Sequence, residues 1–420
     1  MKVLVCGANG SLGRAICARL TAAGHQVVRG VRRVRELRRP DEIAIDYRHD
    51  LDPDTWLPRV AGVDAVVNAV GILLERDGQG FDAVHHLAPA ALFDACRLAG
   101  GRRIVQISAL GANSGATRYF RTKHAADRHL LAIPGDALVL RPALVFDPAG
   151  ASTRLFAMLA SLPLAVLPDG GRQPLRPMHR DDLAELVTRW LESGARGSQA
   201  IDVVGDDEVG YGEMLAIYRA ALGWRPAARL AVPGRLVGIA AALLGRLPGA
   251  MLNRDTWAML SRGNTADAQA TTAALGRRPR GLSRFVEDDA ALLRAQALAT
   301  LRGPLLRVSL AVVWLWTAWV SAFVFPREAS LARLAALHLH DGAASLALDG
   351  ACVLDALLGV LTLARPRRSL WCAQLALVAG YTAAIAVALP AAFAEPFGPL
   401  IKNLPILAIL LILLHETRPT

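Results

Sequence analysis

A glycine-rich segment at residues 7–13, GANGSLG, constrains the fold more than any other feature of the sequence. It follows a short apolar run at 2–6. It precedes a stretch in which apolar side chains recur at 12, 16 and 20, the spacing of one helix face. The sequence therefore predicts a buried strand, a tight turn and a helix, which is how an α/β sheet with a ligand-binding turn begins.

The three glycines of this segment have separate uses. Gly7 allows a sharp turn, Gly10 lacks a Cβ that would keep a pyrophosphate from the backbone, and Gly13 lets the helix pack closely on the strand. The free N–H groups and the dipole at the helix start favour a bound anion. The spacing G-x-x-G-x-x-G thus predicts a dinucleotide-binding turn. The cofactor contacts predicted here are Gly7, Asn9, Gly10, Ser11, Leu12 and Gly13.

Strand-like and helix-like segments alternate through the first half of the chain. Helical stretches such as 83–98 separate most of the strands, and this βαβ rhythm predicts a Rossmann-type, doubly wound parallel sheet with its ligand at the carboxyl ends of the strands. A smaller, loop-rich substrate region is expected from about 150 to 290. The predicted strands after the first are 26–31, 44–46, 65–71, 103–108 and 137–142.

The end of the second strand bears on the choice of dinucleotide. An NAD site usually places an acid there for the ribose 2′-hydroxyl, but this strand runs into Arg29, Arg32 and Arg33, with no acid before Glu36. Guanidinium groups suit a 2′-phosphate, so NADP(H) is predicted over NAD(H). Asp46, at the end of the third strand, either accepts from the adenine amino group or caps a turn.

A serine, a tyrosine and a lysine form the predicted catalytic set. Ser108 ends the fifth strand, and Tyr119 and Lys123 are four residues apart, which places them on one face of a helix. The ammonium is expected to lower the pKa of the phenol and to hold the nicotinamide ribose. The Ser108 hydroxyl would polarise the substrate oxygen.

These residues resemble the extended or atypical short-chain dehydrogenases/reductases. The segments VNAVGIL at 67–73, QISALG at 106–111 and LRPALVF at 140–146 are similar to the subgroup related to the NADPH-binding accessory subunit of respiratory complex I. The resemblance covers about residues 1–290 and implies an NAD(P)-binding domain. It implies further cofactor contacts at Asn68, Ala69, Val70, Gly71 and Pro142. His179 would face the cleft or be a structural histidine.

The charge and cysteine content exclude other classes of function. The net charge is +11 and the sequence pI is about 10.2, but the charge is almost all arginine, spread along the chain without a basic patch interleaved with aromatic residues. We therefore expect no nucleic-acid partner. Lys123 is one of only three lysines. The five cysteines are scattered without a C-x-x-C pair, which predicts reduced thiols and no metal site.

The composition becomes strongly apolar after about residue 300, and the mean hydropathy of the whole chain is +0.34. A membrane-spanning helix needs about 20 apolar residues. We predict a linker at 291–304 and an all-α, four-helix transmembrane bundle over 305–420, which resembles the DoxX-like family around LIKNLP at 400–405. The predicted spans are 305–325, 343–364, 371–394 and a shorter one, broken by Pro405, at 398–415.

Arginine counts in the short loops predict the orientation. Arg365, Arg367 and Arg368 lie between the second and third spans, so the positive-inside rule places that loop and the N-terminal domain in the cytoplasm. A multi-pass protein of the inner (cytoplasmic) membrane is expected. The apolar stretch at 236–247 would lie against the membrane surface or form part of the core.

Charged residues inside the predicted membrane part raise a separate question. Asp349 and Asp355 lie within the second span, and we predict that Asp349 pairs with Lys402. These groups would either line a polar pocket for a quinone-like molecule or lipid headgroup, or join helices. The sequence His338-Leu339-His340-Asp341 lacks further ligands, so no metal is predicted there.

Together these features predict a membrane-anchored, NADPH-dependent oxidoreductase that acts on a lipophilic carbonyl or quinone-like substrate. A non-catalytic NADPH-binding assembly or stability factor for a membrane complex is the alternative. A nucleotide-sugar epimerase shares the expected fold and stays open as a third possibility.

Overall fold

The computed structural model describes residues 1–32, 40–75, 78–115, 117–246, 250–335, 339–388 and 401–417. The chain divides into two compact units, Met1–Ala297 and Leu298–Thr420. Each unit is described by itself.

A seven-stranded parallel sheet forms the centre of the first unit. Its strands lie in the order β11-β6-β5-β4-β1-β2-β3. They are β1 (Lys2–Cys6), β2 (Gln26–Val31), β3 (Glu42–Ala44), β4 (Ala65–Asn68), β5 (Arg103–Ile107), β6 (Ala137–Pro142) and β11 (Ser198–Val203). Chain order reverses between β1 and β4, so a crevice opens there outside the carboxyl ends of the strands. The predicted fold class is confirmed.

The helices of this unit are α1 (Ser11–Ala22), α2 (Pro53–Val60), α3 (Ala88–Leu98), α4 (Arg118–Ala132), α5 (Ala151–Ser161), α6 (Arg180–Glu192), α7 (Tyr211–Ala221), α8 (Gly234–Leu244), α9 (Arg254–Ser261), α10 (Gln269–Leu275) and α11 (Leu282–Asp288). Some of these helices, among them α1, α2, α3, α4 and α6, cover the sheet, and others, such as α5 and α7, belong to the smaller region described below.

The two faces of the sheet bury separate apolar cores. Ile16 and Leu20 of α1 pack with Leu183 of α6 on one face, and Trp56 of α2 packs with Leu92 of α3 on the other. Helices on both faces explain why the central strands are continuous apolar runs, since a parallel sheet covered twice has no polar face.

Two predicted elements differ in detail. The third strand is Glu42–Ala44, two residues earlier than predicted, because the chain turns at Asp46. The predicted helix at 83–98 begins as a π-helix at Asp82–Leu87 before α3. π-helical turns are rare and frequently occur at functional sites.

The smaller region of the first unit is built on three two-stranded sheets. The strands are β7 (Val145–Phe146), β8 (Leu164–Pro168), β9 (Pro174–Leu175), β10 (Met178–His179), β12 (Val209–Gly210) and β13 (Ala228–Val232). The pairs are β10–β7, β12–β9 and β13–β8. Leu167, Leu175, Tyr218 and Phe285 belong to the core that this region buries.

Long apolar helices make up the second unit. The helices are α12 (Ala290–Trp319), α13 (Arg327–Ala335), α14 (Asp341–Ala364), α15 (Arg368–Ala388) and α16 (Asn403–Glu416). Within the described residues, three helical segments are long and apolar enough to cross a membrane: Ala290–Val324, Asp341–Ala364 and Arg368–Val387. The predicted fourth span at 398–415 corresponds to the shorter α16, and its first three residues lie outside the described part. Residues 291–304, predicted as a linker, are helical and continue into the first apolar segment.

Buried polar contacts join the helices of the second unit. The Trp314 indole N–H donates to Gln374 over 3.0 Å, and the Gln374 amide donates to the Thr362 hydroxyl over 2.9 Å. These bonds satisfy polar groups that would otherwise be costly in an apolar interior.

Candidate functional site

The turn after β1 has the backbone that its glycines predict. Gly7 has φ +81°, a left-handed conformation that a side chain would strain. A Cβ there would lie 3.1 Å from a Val70 methyl group and 3.2 Å from the Ala69 carbonyl. The turn after β1 and the segment after β4 therefore touch, and Ala69 and Val70 help to form the crevice.

Gly13 lets the start of α1 pack on this turn. A Cβ at Gly13 would lie 2.7 Å from the carbonyl carbon of Gly7 and closer still to its oxygen. The residue before α1, Gly10, has no side chain to cap the first N–H groups. A helix start with free N–H groups and a close backbone approach fits a pyrophosphate.

The side chains of this turn are largely engaged by the protein. The Ser11 hydroxyl donates to the carboxylate of Asp147, which also pairs with Arg180. Asn9 is exposed, and its carbonyl accepts from Arg14 over 2.6 Å. Leu12 packs against the sheet core. The backbone N–H groups and the exposed Asn9 side chain are thus what the turn leaves for a phosphate.

The arginines after β2 are placed differently from one another. Arg29 is half-buried, and its Nη2 donates to the Ala8 carbonyl over 3.4 Å. Arg32 is exposed at the end of the strand, and Arg33 lies outside the described residues. Arg32 is therefore the described guanidinium that is open to a 2′-phosphate.

Asp46 is a turn residue. It accepts from the Arg48 backbone N–H over 3.1 Å and from the Arg48 guanidinium at both carboxylate oxygens. The Arg48 guanidinium holds the pKa of Asp46 below its usual range. Of the two predicted roles, this geometry favours the turn cap.

Asn68, at the end of β4, holds the crevice together. Its side-chain oxygen accepts from the Tyr47 hydroxyl over 2.8 Å and from the Val70 N–H over 3.2 Å. Its amide donates to Gln106 over 2.7 Å. With all three bonds made, the side chain of Asn68 shapes the segment through Gly71, which leaves ligand contacts to the backbone.

Lys123 is buried between two strand ends. Its Nζ donates to the Ile107 carbonyl over 3.0 Å, directly before Ser108. A Cβ on Gly71 would lie 3.1 Å from the same Nζ, so Gly71 leaves room for the ammonium. Burial lowers the pKa of Lys123 to about 8, and the nearby Asp127 charge opposes that shift.

Tyr119 lies one turn earlier on α4, in an aromatic pocket. Its ring meets those of His85 and Phe81 edge-on, with centroids 5.2 and 5.9 Å apart. Burial and the Asp127 charge raise the pKa of Tyr119 to about 12. The predicted lowering of this pKa is wrong, because the Lys123 ammonium is aimed at the Ile107 carbonyl.

Asp127 completes this cluster, and sequence reasoning missed it. Its Oδ2 accepts from the Ser108 hydroxyl over 2.7 Å and from Arg141 Nε over 3.2 Å. The carboxyl is fully buried, and burial raises its pKa. Asp127 follows Lys123 by one helical turn, so the spacing from Tyr119 through Lys123 was the available signal.

His85 is a second buried residue that sequence reasoning missed. Its Nε2 accepts from the Ile72 N–H over 3.0 Å, so the neutral ring carries its proton on Nδ1, 3.2 Å from the Thr122 hydroxyl. Burial and the Lys123 charge lower the pKa of His85 to about 2. His85 thus ties the segment after β4 to α4.

Two further predicted residues have structural surroundings. Pro142 is buried at the end of β6, and its carbonyl accepts from the Leu110 N–H over 2.8 Å. His179 is buried, and its Nδ1 accepts from the Asp181 N–H over 3.2 Å at the start of α6. Two roles were predicted for His179, and this contact supports the structural one.

The predicted Asp349–Lys402 pair is wrong. Asp349 instead binds Arg327, whose Nη1 and Nη2 donate to its two oxygens over 2.6 and 2.9 Å. Arg327 is the first residue of α13, and it binds Asp349 of the following helix, α14. Asp355 is buried on the inner face of α14, and its Oδ1 has no hydrogen-bond partner among the described residues.

No group of three or more His, Cys, Asp or Glu side chains that could hold a metal occurs within the described ranges. His338, part of the segment rejected as a metal site, lies outside those ranges.

The fold and this crevice define an NAD(P)H-binding protein of Rossmann type, joined to a membrane-type helical unit. Residues 7–193 match the model of an NAD(P)H-binding family, and residues 311–411 match that of the DoxX-like family. The chain therefore combines a short-chain dehydrogenase/reductase-like, NAD(P)H-binding domain with a DoxX-like domain.

Several characterised proteins are similar to the first of these domains. Ceramide reductase of Caulobacter vibrioides is 28% identical over 240 residues, which cover 56% of this chain and 75% of that protein. A mitochondrial NADH dehydrogenase [ubiquinone] 1 alpha subcomplex subunit 9 of Arabidopsis thaliana is 27% identical over 220 residues. That match covers 48% of this chain and about half, 53%, of the plant protein. The predicted resemblance to the complex I subunit is confirmed.

Solved structures share the fold. The NADPH-dependent quinone oxidoreductase of Escherichia coli, solved with NADPH, has a TM-score of 0.54 at 18% identity, covering 69% of this chain and 99% of that one. UDP-glucuronic acid 4-epimerase of Bacillus cereus, solved with its sugar nucleotide and NAD, has a TM-score of 0.52 at 18% identity. It covers 70% of this chain and 99% of that one.

Proposed function

We propose that the protein is a membrane-anchored, NADPH-dependent oxidoreductase that reduces a lipophilic carbonyl or quinone-like substrate. The observation that carries the proposal is the position of Lys123. Its ammonium lies between Gly71, after β4, and the carbonyl before Ser108, after β5. A serine, a tyrosine and a lysine are thereby gathered at the crevice where an open α/β sheet binds its ligands.

The cradle formed by Gly7, Gly10 and Gly13 fits a dinucleotide, and Arg32 supports the phosphorylated form, NADPH. Bound NADPH would supply a hydride. The names of two relatives, a ceramide reductase and a respiratory-complex subunit, support a lipophilic substrate.

Side chains of the protein would supply the proton that the reduced substrate needs. Because the pKa of Tyr119 is about 12, its phenol keeps a proton at neutral pH and can donate it to a substrate oxygen. Ser108, fixed by Asp127, would hold that oxygen by a hydrogen bond. Lys123 would hold the nicotinamide ribose with the N–H groups that it does not give to the Ile107 carbonyl. A protonated phenol suits reduction better than oxidation.

The membrane part would place this chemistry near its substrate. The DoxX-like domain and three apolar helices support insertion in the inner membrane, with the nucleotide domain in the cytoplasm. Tethering raises the effective concentration of a cleft relative to a substrate confined to lipid.

Turnover is the direct test of this proposal. NADPH oxidation by the full-length protein in lipid nanodiscs would be followed with quinones and long-chain carbonyls, for wild type, Tyr119→Phe and Tyr211→Phe. Tyr211 is also a buried tyrosine, but it lies in the smaller region's core, so it is the matched control. We expect Tyr119→Phe to lose about 10²-fold or more of kcat with NADPH affinity unchanged, and Tyr211→Phe to retain activity.

A second candidate is a non-catalytic NADPH-binding assembly factor. It is favoured by the satisfied state of Lys123 and Ser108, which are bonded within the protein as structural residues would be. Tight NADPH binding without turnover, equal in wild type and Tyr119→Phe, would establish it. Product formation without net NADPH consumption would indicate an epimerase instead.

A further inference from the structure

The helix α8 packs with its small residues inward and its large apolar residues outward. Leu236, Ile239 and Leu243 have exposed fractions of 56%, 57% and 56%. At about 100° per residue they lie within an arc of roughly 60°. A surface helix normally buries such side chains, as α6 does with Leu183 and Leu186.

The opposite side of α8 explains why its large apolar residues face outward. A Cβ on Gly238 would lie 3.2 Å from the Trp257 indole nitrogen, and one on Gly245, just after the helix, would lie 2.9 Å from the Cβ of Asn253. Ala241, between them, is completely buried. Glycine and alanine therefore let α8 pack closely on α9 and its N-cap. The larger apolar side chains of α8 take no part in this packing and stay exposed.

The strand before α8 extends the apolar surface. Leu230 of β13 pairs in register with Val166 of β8, so both point to one face of their two-stranded sheet, together with Leu164. All three are exposed. Only Pro233 separates β13 from α8, so two consecutive elements present aliphatic side chains to their surroundings. We call these residues the apolar face: Leu164, Val166, Leu230, Leu236, Ile239 and Leu243.

Charge indicates what covers this face. Arg235 on α8 and Arg246 just after it are exposed beside the face, and the sequence from 228 to 246 contains no Asp or Glu. Asp169 accepts from the Gly234 N–H over 2.7 Å at the start of α8, and the charged residues within 228–246 are arginines. Aliphatic side chains next to arginines are typical of segments that lie in the interface of a bilayer with anionic lipids. The same chain carries helical segments long and apolar enough to cross a membrane, which makes a bilayer the apolar medium that this face is expected to meet.

We propose that the apolar face docks the nucleotide-binding unit on the surface of the lipid bilayer, with Leu236, Ile239 and Leu243 inserted among the acyl chains and Arg235 at the headgroups. This contact is additional to the anchorage by the spanning helices. It does not depend on whether the protein catalyses turnover.

Site-directed fluorescence of the full-length protein in nanodiscs tests the proposal. After replacing Cys352 and Cys372 by Ser, an environment-sensitive label would be attached at Leu243→Cys and, as a matched control, at Leu98→Cys, an exposed leucine at the end of α3. We expect a blue shift at position 243 and a loss of intensity in nanodiscs with brominated acyl chains. At position 98 we expect neither.

Three outcomes would overturn the proposal. A label at 243 that is open to aqueous iodide would show a free surface. A blue-shifted label that brominated lipid does not quench would show that protein covers the face, either the chain's own membrane helices or a second copy. Adding Ile239→Asp to the labelled protein should abolish lipid quenching while NADPH binding persists, and persistent quenching would also refute the assignment.

Discussion

Protonation of His85 is expected to destabilise the first unit as the pH falls. The pKa of His85 is about 2 in the fold, against about 6.5 for an unfolded histidine. Because the folded value is the lower one, the unfolded chain binds the proton more tightly. The stability contributed by the neutral ring is therefore complete above about pH 6.5 and is lost as the pH falls.

The size of this loss follows from linkage. Each pH unit below about 6.5 costs about 1.4 kcal/mol, so at about pH 5 the free energy of unfolding is lower by about 2 kcal/mol. That figure depends little on the folded pKa, provided that it lies well below 5. For a unit of this size, about 2 kcal/mol lowers Tm by roughly 4 °C.

The assay compares wild type with His85→Gln. Glutamine is neutral throughout and can replace both bonds of the ring, accepting from the Ile72 N–H and donating to Thr122. Thermal unfolding of the full-length protein would be recorded between about pH 7.5 and about pH 5. We expect His85→Gln to lose roughly 4 °C less than wild type over this range.

The control is Leu98→Gln, which introduces the same side chain at an exposed position without removing a titratable group. It should keep the pH dependence of wild type. The reasoning is refuted if His85→Gln and wild type lose Tm equally, because His85 would then protonate as readily in the fold as in the unfolded chain.

Three further predictions concern the same crevice. Gly13→Ala should weaken NADPH binding by about tenfold or more, measured by titration calorimetry, because overpacking against Gly7 costs about 1–3 kcal/mol; unchanged affinity would show that the turn is not the cradle. Asp127→Asn should lower Tm by a few degrees, since it leaves the half-buried Arg141 without its counter-charge, at a cost of about 1–3 kcal/mol; calorimetric melting would detect this, and an unchanged Tm would contradict it. Arg32→Ala should lower the ratio of NADPH to NADH affinity about tenfold, the loss of roughly one charge-assisted contact to the 2′-phosphate; equal losses for both cofactors would refute that role.

The sheet could be predicted because its signals are local. A continuous apolar strand, a glycine at a left-handed position and a helix with one apolar face each constrain their own neighbourhood. Gly13 shows this, because a Cβ there would meet the backbone of Gly7 and Ala8, a few residues away. Gly7 shows it through its own left-handed φ of +81°. Right-handed crossovers between parallel strands then restrict the strand orders that such a sheet can adopt.

The interior of the crevice was harder to predict because its contacts are distant in sequence. Tyr119 and Lys123 share a helix face as predicted, yet the spacing does not say where the ammonium points. The ammonium of Lys123 instead donates to the carbonyl of Ile107, which belongs to strand β5. His85 gave no signal at all, because a lone histidine in a helical stretch has no pattern that indicates burial.

In the membrane part, too, local features could be predicted and contacts between distant residues could not. Hydropathy predicted the apolar helices, since length and composition decide them. It could not choose the partner of Asp349, because any cation at the same depth would serve. The arginine at the start of α13, Arg327, is attached to a short neighbouring helix and makes a two-pronged contact that a lysine cannot make.

Cofactor recognition in this crevice is expected to rest on few side chains. Ser11 is bonded to Asp147, and Asn68 is bonded to Tyr47, so neither offers its side chain without breaking an existing contact. Among the predicted contacts that the structure describes, the groups that remain include the backbone N–H donors at the start of α1, the exposed Asn9 side chain and the exposed Arg32. Backbone donors hold a pyrophosphate in NADH and NADPH alike. Selectivity between the two should therefore change by substitution at Arg32, whereas substitutions at Ser11 or Asn68 should disturb the turn and weaken both cofactors together.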